Sequence, residues 1–82
     1  MLLAEQPKIG KLVRELRQEM RLTQEKFAAS LGVTFPTINR WENGRARPSP
    51  LAMVKINAML HSLGDRGNYL VNKYFPETQQ EL

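Results

Sequence analysis

Apolar residues near the start of the chain fall at Ile9, Leu12, Val13, Leu16 and Met20. Steps of three and four place them on one side, so this stretch predicts a helix with a single apolar stripe. Pro7 suits its first turn, where the missing N–H would have had no partner. Met1 to Gln6 read as a frayed lead-in. Thr23 is a good N-cap for a short second helix, with Glu25 near its positive end. Phe27, Ala28 and Leu31 of that helix face inward, and Gly32 is its expected stop. Val33 reads as a buried connector. Thr34 caps a third helix in which Ile38 and Trp41, three residues apart, share a face; Pro36 is its second residue and Gly44 its end. Arg45 to Pro48 form a basic loop. Ser49 and Pro50 then open a fourth helix carrying Met53, Ile56, Leu60 and Leu63 on one side, ended by Gly64. Beyond it, Tyr69, Leu70, Tyr74 and Phe75 allow one more apolar turn or short helix before Pro76, and the last six residues are expected to be disordered. There is no strand-like alternation, internal repeat or low-complexity tract. The expected fold is all-α, a compact bundle of four to five helices.

Composition narrows the function classes. Eighty-two residues allow one domain with one small core. A hydrophobic share of 41% and a charged share of 24% suit a globular chain rather than a disordered one. Without cysteine, and with His61 as the one histidine, disulfides are excluded and a structural zinc site is not expected. The apolar runs fall far short of a membrane span and the N-terminus lacks a signal-peptide layout, so a cytoplasmic protein is the expectation. The sequence has no glycine-rich phosphate loop, no HExxH and no cysteine nucleophile. Its serines and single histidine are scattered, so neither catalysis nor a cofactor is expected. The net charge of +4 changes the picture through its distribution. Six of the twelve basic residues lie between Lys8 and Lys26, and four more are Arg40, Arg45, Arg47 and Lys55. Such a balance suits a polyanionic partner.

The informative segment runs from Leu22 to Pro50, LTQEKFAASLGVTFPTINRWENGRARPSP. Two short helices joined by a tight turn at Gly32–Val33 must cross steeply and nearly touch. The small Ala28 permits the approach, and Gly32 supplies a positive φ at little cost. Val33, Ile38 and Trp41 fill the angle between the helices. In such a unit the second helix stands clear of the body and can enter a DNA major groove.

From about Ile9 to Leu63 the chain resembles the Cro and phage-repressor type of helix-turn-helix protein, the XRE family. The resemblance is carried by ELRQEMRLTQEKFA and LGVTFPTINRWENGRARPS. It implies a lambda-repressor-like DNA-binding domain. On this likeness Gln24 matches the family glutamine that clamps a DNA phosphate and helps orient a recognition-helix side chain, and Asn43 matches a phosphate-contacting position. The exposed residues of the third helix, Thr34, Phe35, Pro36, Thr37, Asn39 and Arg40, would be the readers. Phe35 and Pro36 depart from the amides that relatives often place there. Neither can read a donor–acceptor pattern, though both could pack on thymine methyl groups. Direct readout therefore falls on Arg40, with guanine its natural target, and on Asn39 and Thr37. The likeness also pairs Arg17 of the first helix with Glu42, a bridge with a structural role, and Trp41 reads as core beside Ile38. Arg45 and Arg47 either complement the negative end of the third helix or reach phosphate or the minor groove. Lys8, Lys11 and Arg14 could touch the DNA backbone or merely keep the chain in solution.

The expected organisation is a helix-turn-helix domain over residues 7–64 and an extension over 65–82, with Leu63, Tyr69, Leu70, Tyr74 and Phe75 as a dimerisation surface. The expected function is a sequence-specific transcription regulator, a repressor, binding double-stranded DNA as a homodimer on a roughly palindromic operator. The alternative is an antitoxin-like or adaptor module whose helix-turn-helix surface binds a protein, a toxin or a regulator. The apolar Phe35–Pro36 pair is the feature that supports it.

Overall fold

A computed structural model describes residues 4–77 as five α-helices, and no strand occurs among them. They are α1 (Lys8–Glu19), α2 (Gln24–Leu31), α3 (Phe35–Glu42), α4 (Pro50–Ser62) and α5 (Asp65–Tyr74). Local chemistry sets most of the boundaries. The Thr23 hydroxyl accepts the Lys26 N–H at 3.1 Å, and Ser49 Oγ accepts the Ala52 N–H at 3.2 Å, two side-chain N-caps of the ordinary kind. Gly32 ends α2 at φ +72°, in the left-handed region that a Cβ disfavours. Thr34 occupies the N-cap position of α3, but its hydroxyl does not cap the helix. It pairs instead with the hydroxyl of Thr37 at 2.9 Å.

The core is a single cluster. Ile9, Leu12, Val13 and Leu16 of α1 meet Phe27, Ala28 and Leu31 of α2, Ile38 and Trp41 of α3, and Ala52, Met53, Ile56 and Leu60 of α4. Leu70, Val71 and Phe75 complete it. The C-terminal segment is thus a full helix and its flank, not a loose apolar turn, and it packs on both α1 and α4. Burial corrects the dimer surface expected there: Leu70 and Phe75 lie inside the protomer, where they cover the stripe of α1 and the end of α4, so they cannot face a second chain. Leu63 and Tyr74 are half-buried, and Tyr69, at 62% exposure, stands in solvent. Residues 78–82, which hold most of the expected disordered tail, lie outside the described residues, as do residues 1–3 of the lead-in.

Two glycines that periodicity alone passes over set the helix spacing. Gly10 lies where α1 meets the last turn of α3, and a Cβ there would run into the Trp41 carbonyl. Gly67 does the same for α5 against the Leu60 carbonyl of α4. Polar ties lock α5 further. The Tyr74 hydroxyl donates to Glu15 Oε2, Lys73 Nζ donates to Glu15 Oε1 at 3.1 Å, and Arg66 pairs with Glu19. The hydrogen bond to Glu15 raises the Lys73 pKa above the ordinary lysine value. A raised cationic pKa means that this contribution is full below the usual lysine range and is lost only as pH climbs through the raised value.

Gly67→Ala tests which of two effects wins at the α4–α5 contact. Helix propensity favours alanine by about 1 kcal/mol, whereas the obstacle is the main chain of Leu60, which cannot rotate away. Overpacking costs about 1–3 kcal/mol and occasionally more. Denaturant unfolding of Gly67→Ala is expected to show a net loss of stability, where a solvent-facing glycine would show a gain.

Candidate nucleic-acid interface

The two central helices meet as the turn chemistry requires. The Val33 N–H returns to the Ala28 carbonyl at 3.0 Å, closing the α2–α3 corner around Gly32. Ala28 is buried at the crossing and Val33 is half-buried. On the inner side of α3, Ile38 and Trp41 sink into the core, so the opposite side is left in water. Thr34, Phe35, Pro36, Asn39, Arg40 and Asn43 are exposed there, and Thr37 is half-buried. Phe35 keeps 43% of its surface exposed, high for so large an apolar side chain. Asn43 Nδ2 donates to Asn39 Oδ1 at 3.2 Å, which leaves the Asn39 amide protons free to donate outward.

Glu42, the last residue of α3, sits at the centre of a polar junction. Arg17 approaches it from α1 with two bonds, Nε to Oε2 at 2.7 Å and Nη2 to Oε1 at 3.1 Å. Gln24 Nε2 approaches from the start of α2 and reaches Oε1 at 3.0 Å. The third Arg17 donor, Nη1, holds the Leu22 carbonyl at 3.0 Å. The Glu42 side chain is only 4% exposed and that of Arg17 15%. The hydrogen bond to Glu42 raises the Arg17 pKa above the ordinary arginine value, so the cation persists throughout the working pH range. Gln24 is therefore a brace between α2 and α3 in this structure, with one of its two amide protons committed to Glu42.

Beyond Glu42 the chain turns through Asn43 and Gly44, where φ is +75°. The Arg45 N–H bonds the Arg40 carbonyl at 2.8 Å, extending the last turn of α3 into the loop. Arg45 and Arg47 are exposed, and Pro48 is buried before α4 starts. The exposed cations Arg40, Arg45 and Arg47 are thus continuous in the chain with the outer face of α3. None of the three forms an ion pair among the described residues. Lys8 is half-buried, lies 3.9 Å from Glu5 and stands over the Phe75 ring, while Lys11 and Arg14 are exposed on α1.

One participant escapes sequence reasoning. Gln6, placed in the expected frayed lead-in, is half-buried and hydrogen-bonded. Its Nε2 donates to the Trp41 carbonyl at 3.0 Å and to the Ala46 carbonyl at 2.6 Å, and its Oε1 accepts the Gly10 N–H at 3.0 Å. The correction has a simple cause: carbonyls in the last turn of α3 and in the loop after it need donors, and a glutamine just before α1 supplies one to each. No local pattern around Gln6 signals this, because its partners lie 35 and 40 residues away in the chain. Gly10, a glycine within a helical pattern, was the available hint that another backbone comes close.

Residues 13–61, more than half of the chain, match the family model described as helix-turn-helix. The chain belongs to the helix-turn-helix family, of the XRE type. A 38-residue stretch, 46% of the chain, is 53% identical to a protein of Methanothermobacter thermautotrophicus named as an uncharacterized HTH-type transcriptional regulator. That stretch spans 55% of the archaeal protein, about half its length. No solved structure matches the chain. In this helix-turn-helix chain the family match covers α2, α3 and the turn between them, the part in which an exposed helix face and exposed arginines adjoin.

Removing the Glu42 carboxylate leaves the Arg17 guanidinium without its main partner in a largely buried place. Deleting one member of a buried pair costs about 3–5 kcal/mol, and the bond that Arg17 keeps to Leu22 puts Glu42→Ala near the lower end. Gln24→Ala, which removes one hydrogen bond, is expected to cost about 1 kcal/mol. Chemical denaturation of both variants checks the order; equal losses would mean that the charge pair adds nothing beyond a neutral bond.

Proposed function

We propose that this chain is a sequence-specific DNA-binding transcription regulator, a repressor, that lays α3 in the major groove of double-stranded DNA. One observation carries the reading: the outer face of α3 is left to solvent, while its inner face is anchored by Ile38, Trp41 and Glu42, and exposed arginines, unpaired among the described residues, continue that outer face into the following loop. A rigid helix with a polar outer face and adjoining cations has the form needed for base contacts framed by phosphate contacts. The archaeal relative's name agrees with it.

Within this reading Arg40 carries the main base contact, a bidentate fork on guanine, with Asn39 and Thr37 beside it. Phe35 and Pro36 pack against thymine methyl groups. Asn43, Arg45 and Arg47 take phosphates. Gln24 gives one amide proton to Glu42, which helps seat α3, and offers the other to a phosphate. One strong bidentate contact per half-site discriminates weakly, so two copies on a roughly palindromic site, with half-sites about one helical turn apart, supply the remaining specificity. Tyr69, 62% exposed, is the member of the expected C-terminal surface that stands in solvent.

A second reading rests on Phe35. An exposed aromatic beside a proline on a short helix also suits a protein partner that covers α3, as in an antitoxin or adaptor. In-vitro selection of duplexes from a random pool separates the two. Enrichment of a two-fold symmetric site supports the regulator, and the absence of any enriched sequence, together with a stoichiometric protein bound over α3, supports the alternative. On the selected site, Arg40→Ala is expected to relax the preference at one base pair by about 1–3 kcal/mol. Arg45→Ala should weaken all duplexes alike and lower the salt slope of log Kobs by about 1. Replacing thymine by deoxyuridine under Phe35 should weaken wild-type binding and leave Phe35→Ala unaffected. Titrations by fluorescence anisotropy at several salt concentrations measure all three.

A further inference from the structure

The stretch between α3 and α4 carries Arg45 and Arg47 on either side of Ala46, yet little in its own main chain holds it. Gly44 and Arg45 are tied back to α3 through the Trp41 and Arg40 carbonyls at 3.1 and 2.8 Å. Among the described residues, no backbone–backbone hydrogen bond outside the helices involves Ala46 or Arg47. The tie that fixes the Ala46 carbonyl comes from a side chain far away in sequence, Gln6.

We infer that Gln6 is the positioning residue of the DNA-facing loop: its carboxamide sets where Arg45 and Arg47 stand relative to α3. Three facts carry this. Both Nε2 protons of Gln6 are committed, one to Trp41 in the last turn of α3 and one to Ala46 between the two arginines, so a single planar group fixes the separation of helix end and loop. Its Oε1 is held in turn by the Gly10 N–H, which orients the amide and anchors the clasp to α1, a core helix. The approach at this point is close and needs a glycine, because a Cβ on Gly10 would come within 2.9 Å of Gln6 Oε1 and collide with the Trp41 carbonyl. Gln6 reaches no groove or phosphate itself; it acts by holding the arginines. The inference rests on the DNA-binding reading for its consequence, but the effect on the loop stands apart from DNA.

Two variants test it. Gln6→Ala removes the clasp. Gln6→Glu has nearly the same shape and can still accept the Gly10 N–H, but it offers the two carbonyls no proton and faces them with a negative charge. Amide hydrogen exchange in the absence of DNA reads the loop directly. In both variants the Gly44 and Arg45 amides, which bond back to α3, are expected to exchange faster while core amides of α2 and α4 keep their protection; unchanged protection of these two amides overturns the inference whether or not the protein binds DNA. On a selected duplex both variants are expected to bind about tenfold more weakly, with a salt slope shallower by about 1–2 as phosphate contacts blur. In an Arg45→Ala, Arg47→Ala background, Gln6→Ala should change affinity less than about twofold, since coupled residues are non-additive. Equal losses in both backgrounds, or an unaltered salt slope, would show that Gln6 only supports the fold. If wild-type protein binds no duplex at all, the regulator reading fails, and the exchange experiment still decides the role of Gln6.

Discussion

The Glu42 carboxylate is the constraint on which the arrangement of the first three helices depends. It is almost fully buried at the end of α3, and Arg17 from α1 and Gln24 from α2 converge on its two oxygens. A buried carboxylate is expensive to desolvate, and it survives here because every approach to it is a donor. The direction of these bonds matters as much as their strength. They specify which turn of α3 faces the body, and Ile38 and Trp41 then have one way to enter the core. An apolar junction of equal volume could match its stability but would not define the rotation of α3 about its own axis so narrowly.

Fixing that rotation also fixes what is left outside. With Ile38, Trp41 and Glu42 inward, the remaining positions of α3 apart from the half-buried Thr37 face solvent, and Phe35 among them violates the usual preference for burial. The three-residue step to Ile38 would put Phe35 near the inner side, so its exposure comes from its place as the first residue of α3, outside the core cluster. The same frame continues through Gly44 into the loop, where main-chain bonds thin out and the Gln6 carboxamide takes over. The exposed helix face and the exposed loop are therefore seated on α1 through two separate polar contacts, Arg17–Glu42 and Gln6 with Trp41 and Ala46.

The short core explains why α5 is part of the domain. Four helices of this length would leave the stripe of α1 and the end of α4 uncovered, and small domains have little burial to spare. Leu70, Val71 and Phe75 close that gap, Gly67 allows the approach, and Glu15 ties the helix down through Lys73 and Tyr74. An apolar cluster near a chain end can be read equally as core or as an interface. Here the intramolecular use wins for Leu70 and Phe75, because their burial costs no association entropy.

Local chemistry alone determined a great deal. Thr23 and Ser49 as caps, Gly32 as a left-handed stop, and the three- and four-residue spacing of apolar positions define four helices, because each is a short-range effect of the residue's own shape and donors. The helix-turn-helix corner was legible for the same reason, since Ala28, Gly32 and Val33 are neighbours in the chain as well as in space. Tertiary structure alone decided the rest: that Leu70 and Phe75 turn inward, that Gly10 and Gly67 are contact points, that the Thr34 hydroxyl pairs with Thr37 instead of capping, and that Gln6 reaches across to Trp41 and Ala46. In most of these the partner lies far along the chain or competes with another of similar energy. No spacing rule encodes such a choice; it is made only when the packed helices bring the groups within reach.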